Sequence, residues 1–185
     1  MTKTITSLGY ALMGLINGEP KTGYALRKVF ETTPMGTYSS SPGSIYPALA
    51  ALERLGLVET RGGDTRGKGL YHLTPAGDAA LQAWLVAPVD SKDLPGAMLR
   101  FAFLQDHPDR GLTLAFLDRY AAAASAEVRS LERFAESDFG RALPLQSRLA
   151  VEQGRRHFES SAQWAVWAKQ RLQQEGTSDE GGLDT

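Results

Sequence analysis

The sequence predicts a mainly α-helical fold with one small β-hairpin, in which a compact N-terminal domain is followed by an all-helical C-terminal domain. Three observations predict it. Apolar residues recur at steps of three and four through most of the 185 residues. The period changes once, after Gly56, to two short β-type runs flanking a glycine-rich stretch. Beyond Pro95 strand signals are absent and long helical stripes take over.

Ile5, Leu8, Leu12, Leu15 and Ile16 form the stripe of a first helix over residues 4–16, stopped by Asn17, Gly18, Glu19 and Pro20. Thr22 suits the N-cap of a short second helix that turns Leu26, Val29 and Phe30 inward and Arg27 and Lys28 outward, ending near Thr33 and Pro34. A polar, turn-rich stretch, 36–44, precedes a third helix with the stripe Ile45, Leu49, Leu52 and Leu55, ended by Gly56. Two starts are open for it. A cap at Ser41 with Pro42 first would place Pro47 inside the helix at the loss of a backbone bond, whereas a cap at Ser44 would place Pro47 in the first turn, where no N–H is needed.

Residues 57–60 and 70–73 read as strands around the basic, glycine-rich tip 61–69. Thr74 and Pro75 then cap and open a fourth helix carrying Leu81, Trp84 and Leu85. Pro88 and the polar segment 90–95 mark a boundary, dividing the chain into residues 1–87, a helical domain 88–175 and a frayed tail 176–185. In the second domain Met98, Leu99, Phe101, Ala102 and Phe103 make a short helix. A long helix over 109–139 bears Leu117, Tyr120, Ala124, Val128, Leu131 and Ala135 at coiled-coil spacing. Pro144 introduces another, 145–174, with Leu149, Val151, Phe158, Ala162, Trp164, Ala165, Trp167 and Leu172.

Composition narrows the chemistry. With 42% hydrophobic and 22% charged residues the chain can bury a core, and with no cysteine it has no disulfide or thiolate chemistry. The first residues lack a charged segment followed by an unbroken apolar run, so a soluble cytoplasmic protein is expected, with no membrane partner. His72, His107 and His157 form no i, i+4 pair, and no Ser/His/Asp set can be chosen, so no metal, cofactor or enzymatic role is expected. Glu132, Glu136 and Asp138 sit among arginines at the spacing of a solvated helix face.

Three helices, a hairpin and a further helix follow the order of a winged helix-turn-helix, whose third helix enters the major groove of DNA while the hairpin tip touches the backbone. With Ile45, Leu49 and Leu52 inward, helix three would present Ser44, Tyr46, Pro47 and Ala50. The alternative is that Tyr46 merely rims the core. Residues 62–69 nearly match a phosphate-binding loop, but Gly69 stands where a hydroxyl must hold Mg²⁺ and a strand follows where a helix should begin. As a wing, the same stretch sets Arg66 and Lys68 against phosphates; otherwise it is a solvated turn.

Leu8-Gly9-Tyr10-Ala11-Leu12, Thr22-Gly23-Tyr24-Ala25-Leu26, Gly43-Ser44-Ile45-Tyr46-Pro47-Ala48-Leu49, residues 52–59 and Tyr71-His72-Leu73-Thr74-Pro75-Ala76-Gly77 together resemble the PadR family of bacterial transcriptional regulators. The resemblance implies a homodimeric repressor, less often an activator, that reads a palindromic site in double-stranded DNA. It implies DNA contacts from Thr22, Tyr24, Ser41, Gly43, Ser44, Tyr46, Pro47, Arg66 and Lys68, with Tyr24 alternatively a core residue. The helical C-terminal half resembles the family's longer subgroup, which dimerises through exchanged helices.

Apolar surface on the last two helices suggests a dimer made by Leu117, Tyr120, Ala124, Val128, Leu131, Phe158, Ala162 and Trp167; the alternative is an intramolecular bundle packed on the first helix. Trp84, Phe101, Trp164 and Trp167 are either ordinary core aromatics or the lining of a pocket for a small aromatic or apolar effector. A competing reading is a winged-helix protein-interaction module that dimerises without DNA. The net charge of -1 conceals unlike halves: residues 1–85 hold 8 basic and 6 acidic side chains, residues 86–185 hold 12 and 15. So modest an excess favours a few well-placed contacts over a broad basic field.

Overall fold

The computed structural model describes residues 5–33, 35, 42–62 and 69–180, the side chains of 42 and 176–180 excepted. It falls into two compact units: Met1–Ala87 with Met98–Asp106, and Pro88–Ala97 with His107–Thr185.

The first unit begins with α1, Ser7–Gly18, capped by the Thr6 hydroxyl, which accepts from the Gly9 amide at 3.2 Å. The helix therefore starts three residues later than its apolar stripe suggests and runs on through Asn17 and Gly18. Helix α2, Gly23–Thr32, is capped by Thr22 as expected, its hydroxyl accepting from Ala25 at 3.1 Å. A 3₁₀ turn, Pro42–Ser44, leads into α3, Ile45–Arg54, with Ser44 in the N-cap position. Pro47 thus lies in the first turn, where its missing N–H breaks no helical bond. Gly56, at φ +69°, ends α3 in the left-handed region and donates to the Glu53 carbonyl at 2.9 Å.

Strands β1, Val58–Arg61, and β2, Leu70–Leu73, pair antiparallel, with Val58 opposite Leu73 and Arg61 opposite Leu70. Lys21 adds an isolated bridge to Tyr71, the backbones bonding at 2.9 and 3.4 Å, so the loop between α1 and α2 is tied to the hairpin. No periodicity in a single residue could announce this. Thr74 then does two jobs: its hydroxyl donates to the Gly56 carbonyl at 2.6 Å and accepts from Gly77 at 3.0 Å, capping α4, Pro75–Val86. The hairpin is thereby anchored at the end of α3.

Helix α1 packs on α3, α4 and β2, and α3 on α2 and β1. Their shared core holds Leu12, Met13, Leu26, Ile45, Leu49 and Leu81, all fully buried. Helix α5, Leu94–Phe103, crosses the boundary between units, and its second half belongs to the first one. Two contacts explain that assignment. The Phe103 ring lies so close to Gly14 that a Cβ there would sit 2.5 Å from it. The Arg100 guanidinium donates to the Ala87 carbonyl at 2.8 Å and covers the Trp84 indole at 5.0 Å, which in turn stacks on Tyr10 at 4.5 Å. A single cut near residue 87 misses this return of the chain.

In the second unit α6 spans Arg110–Glu136, not 109–139. Ser137 breaks it: its hydroxyl donates to the Phe134 carbonyl at 2.7 Å and accepts from Gly140 at 3.0 Å, starting the short α7, Asp138–Ala142. Helix α8, Leu145–Glu180, continues six residues beyond the expected end at Gln174. Helices α6 and α8 pack antiparallel, as the Tyr120–Trp164 ring contact and the approach of Leu131 to Gly154 require. Small residues on α8, the buried Ser161, Ala165 and Ala168, let Phe116, Leu117, Tyr120 and Ala124 of α6 sink completely between the helices. Lys169 straddles both Asp118 carboxylate oxygens at 2.7 Å.

The Tyr120 hydroxyl is buried there without a hydrogen-bond partner among the described residues. Since an unsatisfied buried polar group costs about 1–3 kcal/mol, Tyr120→Phe is expected to raise stability by about 1 kcal/mol in urea unfolding. A loss of stability would mean that the hydroxyl is bonded after all.

Candidate nucleic-acid interface

Burial of Ile45, Leu49 and Leu52 sets the rotation of α3, and the opposite face then presents the exposed Tyr46, Pro47 and Ala50. Tyr46 retains 48% of its surface, far more than a core-rim residue needs to give up. Its ring lies against the start of α2, where a Cβ on Gly23 would sit 2.7 Å from Cε1. Glycine at that position is what allows the ring to lie there.

Helix α2 adds Tyr24, which at 60% exposure is a surface residue and not part of the core. The Arg27 guanidinium stands 5.6 Å from its ring centroid while also pairing with Glu31 at 3.2 Å. Thr22 is half-buried, its hydroxyl occupied by the cap. Gly43 is exposed and Ser44 half-buried. The structure therefore brings Tyr46 of α3 beside the first turn of α2, with Pro47 exposed next to it in the chain. Ser41, Arg66 and Lys68 lie outside the described residues.

Lys28, exposed and one turn beyond Tyr24, belongs to the same side of α2 and was not among the expected contacts. The i, i+4 spacing from Tyr24 was the available signal. At the hairpin stem Arg61 pairs with Glu59, whose carboxylate offsets that cation's charge. Behind it the Thr60 hydroxyl donates to Glu53 at 2.6 Å, and Tyr71 pairs across from Thr60. Burial pushes the Tyr71 phenol up from 10.0, with the neighbouring Glu53 and Tyr46 adding to the effect and a hydrogen bond with Thr60 opposing it.

Residues 12–83 match the transcriptional regulator PadR-like family. The matched stretch covers most of the first unit, from within α1 to within α4. The match is to regulators and not to enzymes. No curated protein matches the chain. Among solved structures, similar ones include Bacillus subtilis PadR in complex with p-coumaric acid, at 20% identity over 94% of this chain and 99% of that one, with a TM-score of 0.42. The same protein in complex with operator DNA matches at 20% identity over 91% and 99%, with a TM-score of 0.41. The Vibrio cholerae virulence activator AphA matches at 19% over 92% and 99%, with a TM-score of 0.40.

The residues expected to dimerise the chain divide into two groups. Leu117, Tyr120 and Ala124 are wholly buried against the chain's own α8, a correction to their reading as a free seam: an apolar stripe at coiled-coil spacing is satisfied by whichever helix reaches it first, and the intramolecular one does. Val128, Leu131, Phe158 and Ala162 are half-buried, and Trp167 is 58% exposed. Of the expected effector residues, Trp84 and Phe101 belong to the first unit and Trp164 and Trp167 to the second. Trp84 stacks on Tyr10 and meets the Arg100 guanidinium, and Trp164 meets the Tyr120 ring edge-on at 6.1 Å. Among the described residues no helix is long and apolar enough to cross a membrane.

The Tyr71 shift has a pH signature. The unfolded chain loses the phenolic proton near 10.0 and the folded chain only above it, so this group's contribution is complete below pH 10.0 and falls away as pH rises through the folded value. Chemical denaturation across that range is expected to show a shallower alkaline loss in Tyr71→Phe than in the parent.

Proposed function

We propose that the chain is a homodimeric, sequence-specific DNA-binding repressor of a neighbouring operon, acting on a palindromic site in the bacterial cytoplasm. The observation that carries this reading is the exposed Tyr46, Pro47 and Ala50 face of α3, held next to Tyr24 on α2 in a domain of the PadR-like family. Tyr46 offers a ring and a hydroxyl to base edges; Lys28, with Arg66 and Lys68 of the wing, offers cations to phosphates.

Dimerisation on this reading uses the outer side of the second unit. Val166 and Trp167 are 51% and 58% exposed and border a shallow groove of about 380 Å³ that Ala121, Ser125 and Ala162 also line. A second copy related by a twofold axis would cover this apolar face and set two α3 helices on half-sites about 34 Å apart, one DNA turn. A small aromatic or apolar effector that releases DNA would be registered by the fluorescence of Trp164 and Trp167. Saturable quenching by planar aromatic compounds, paired with operator release, is the test of that part.

Fluorescence anisotropy with DNA from upstream of the protein's own gene tests the central claim. Tyr46→Ala is expected to lose about 1–3 kcal/mol of operator affinity, about 5- to 150-fold, with little change on random DNA. Gly23→Ala, which displaces the Tyr46 ring, should go the same way, whereas Lys28→Ala should weaken both DNAs alike and lower the salt slope by about one. Equal, sequence-independent binding by all variants would leave a protein-interaction module as the better reading.

Trp167→Glu places a charge on an exposed position, so folding should survive. Sedimentation is expected to show a monomer, and operator binding should fall with it; a stable dimer would remove the outer face of α8 from the interface.

A further inference from the structure

A second feature of the helical unit is independent of the DNA reading. Where α6 ends, α7 turns and α8 begins, the chain encloses a partly open cavity of about 160 Å³. Leu131, Phe134, Leu143 and Val151 form its apolar walls. For scale, an apolar protein cavity of about 150 Å³ accepts a benzene molecule, so one small ring or branched alkyl group fits here.

Its polar side is unusual. Glu152 is held by Arg155 at 2.8 and 3.0 Å and by Arg156 at 2.8 Å, and these partners keep its carboxyl at about 2, so it is anionic and its oxygens are occupied. Arg155 is likewise committed, to Glu152 and to Glu159 at 3.3 Å. Arg148, one turn into α8, also lines the cavity, yet makes no ion pair or side-chain hydrogen bond among the described residues. The three charged groups of the lining leave one positive charge over, and it is the uncommitted one.

We infer that this cavity is a binding site for a small apolar monocarboxylate, its hydrocarbon part on Leu131, Phe134, Leu143 and Val151 and its carboxylate on the Arg148 guanidinium. The pairing follows from the geometry of the fork, which suits a carboxylate through two parallel N–H donors. A neutral molecule of the same shape would fill the walls but leave the cation as it is. A dicarboxylate would bring a second charge against Glu152.

Methyl-labelled NMR on the full-length protein, without DNA, tests the inference with benzoate as the probe and benzamide as its neutral counterpart. Benzoate is expected to shift the methyl signals of Leu131, Leu143 and Val151 saturably, with a dissociation constant on the order of 1 mM or tighter. Benzamide should bind about tenfold more weakly, and Arg148→Gln, an exposed substitution, should weaken benzoate by about the same factor, the loss of one charged hydrogen-bonded contact. Ala135→Leu, which fills the cavity, should abolish the shifts. Equal binding of benzamide, an unchanged affinity in Arg148→Gln, shifts centred on other methyls, or no saturable shift would each overturn the proposal. None of these outcomes bears on operator binding, so the two readings fail separately.

Discussion

The rotational setting of α3 is the constraint on which the first unit depends. Ile45, Leu49 and Leu52 are buried against α1, α2 and β1, and full burial of an aliphatic side chain stabilises by about 1.5–3 kcal/mol. Three such side chains on one stripe leave the helix no freedom to turn. Everything on the opposite face, Tyr46 above all, is exposed because these three are not. Gly56 and Thr74 then fix where the hairpin leaves α3, through the left-handed glycine and the hydroxyl bond to its carbonyl. The candidate interface is therefore a by-product of core packing, with its position set by groups that would never touch a ligand.

The second unit solves a different problem. Two helices as long as α6 and α8 carry more apolar surface than a loose pair would cover. Ser161, Ala165 and Ala168 bring the helices close, and the large α6 residues disappear between them. What remains outside is uneven: Val166 and Trp167 on one stretch, and Phe139, Leu145 and Leu149 near the turn. The break at Ser137 shapes that turn, because Gly140 comes so near the Phe134 carbonyl that a side chain could not be accommodated. A continuous helix to 139 would have left no cavity there.

Much of this was legible. The stripe Ile45, Leu49, Leu52 named both the buried and the exposed face of α3, and Thr22, Thr74 and Pro75 named helix starts, because capping is a local bond between residues three apart. Other features were not legible for an equally physical reason. The Lys21 bridge to Tyr71, the stacking of Tyr10, Trp84 and Arg100, and the fit of Phe103 on Gly14 join residues far apart in the chain. Ser137 reads as one polar residue in a helical run until its hydroxyl is seen serving both helix ends.

By itself, then, the sequence determined the order of elements, the caps, the inward stripe of each helix and the likeness to PadR regulators, all of which rest on neighbours within a turn or two. Only the tertiary structure decided which apolar face met which. The coiled-coil spacing of Leu117, Tyr120 and Ala124 is the same whether the facing helix comes from this chain or another; α7 and Pro144 return α8 to meet it within the chain, leaving Trp167 outside. Hydrophobic burial is non-directional, so a stripe specifies that it will be covered, and chain connectivity specifies by what.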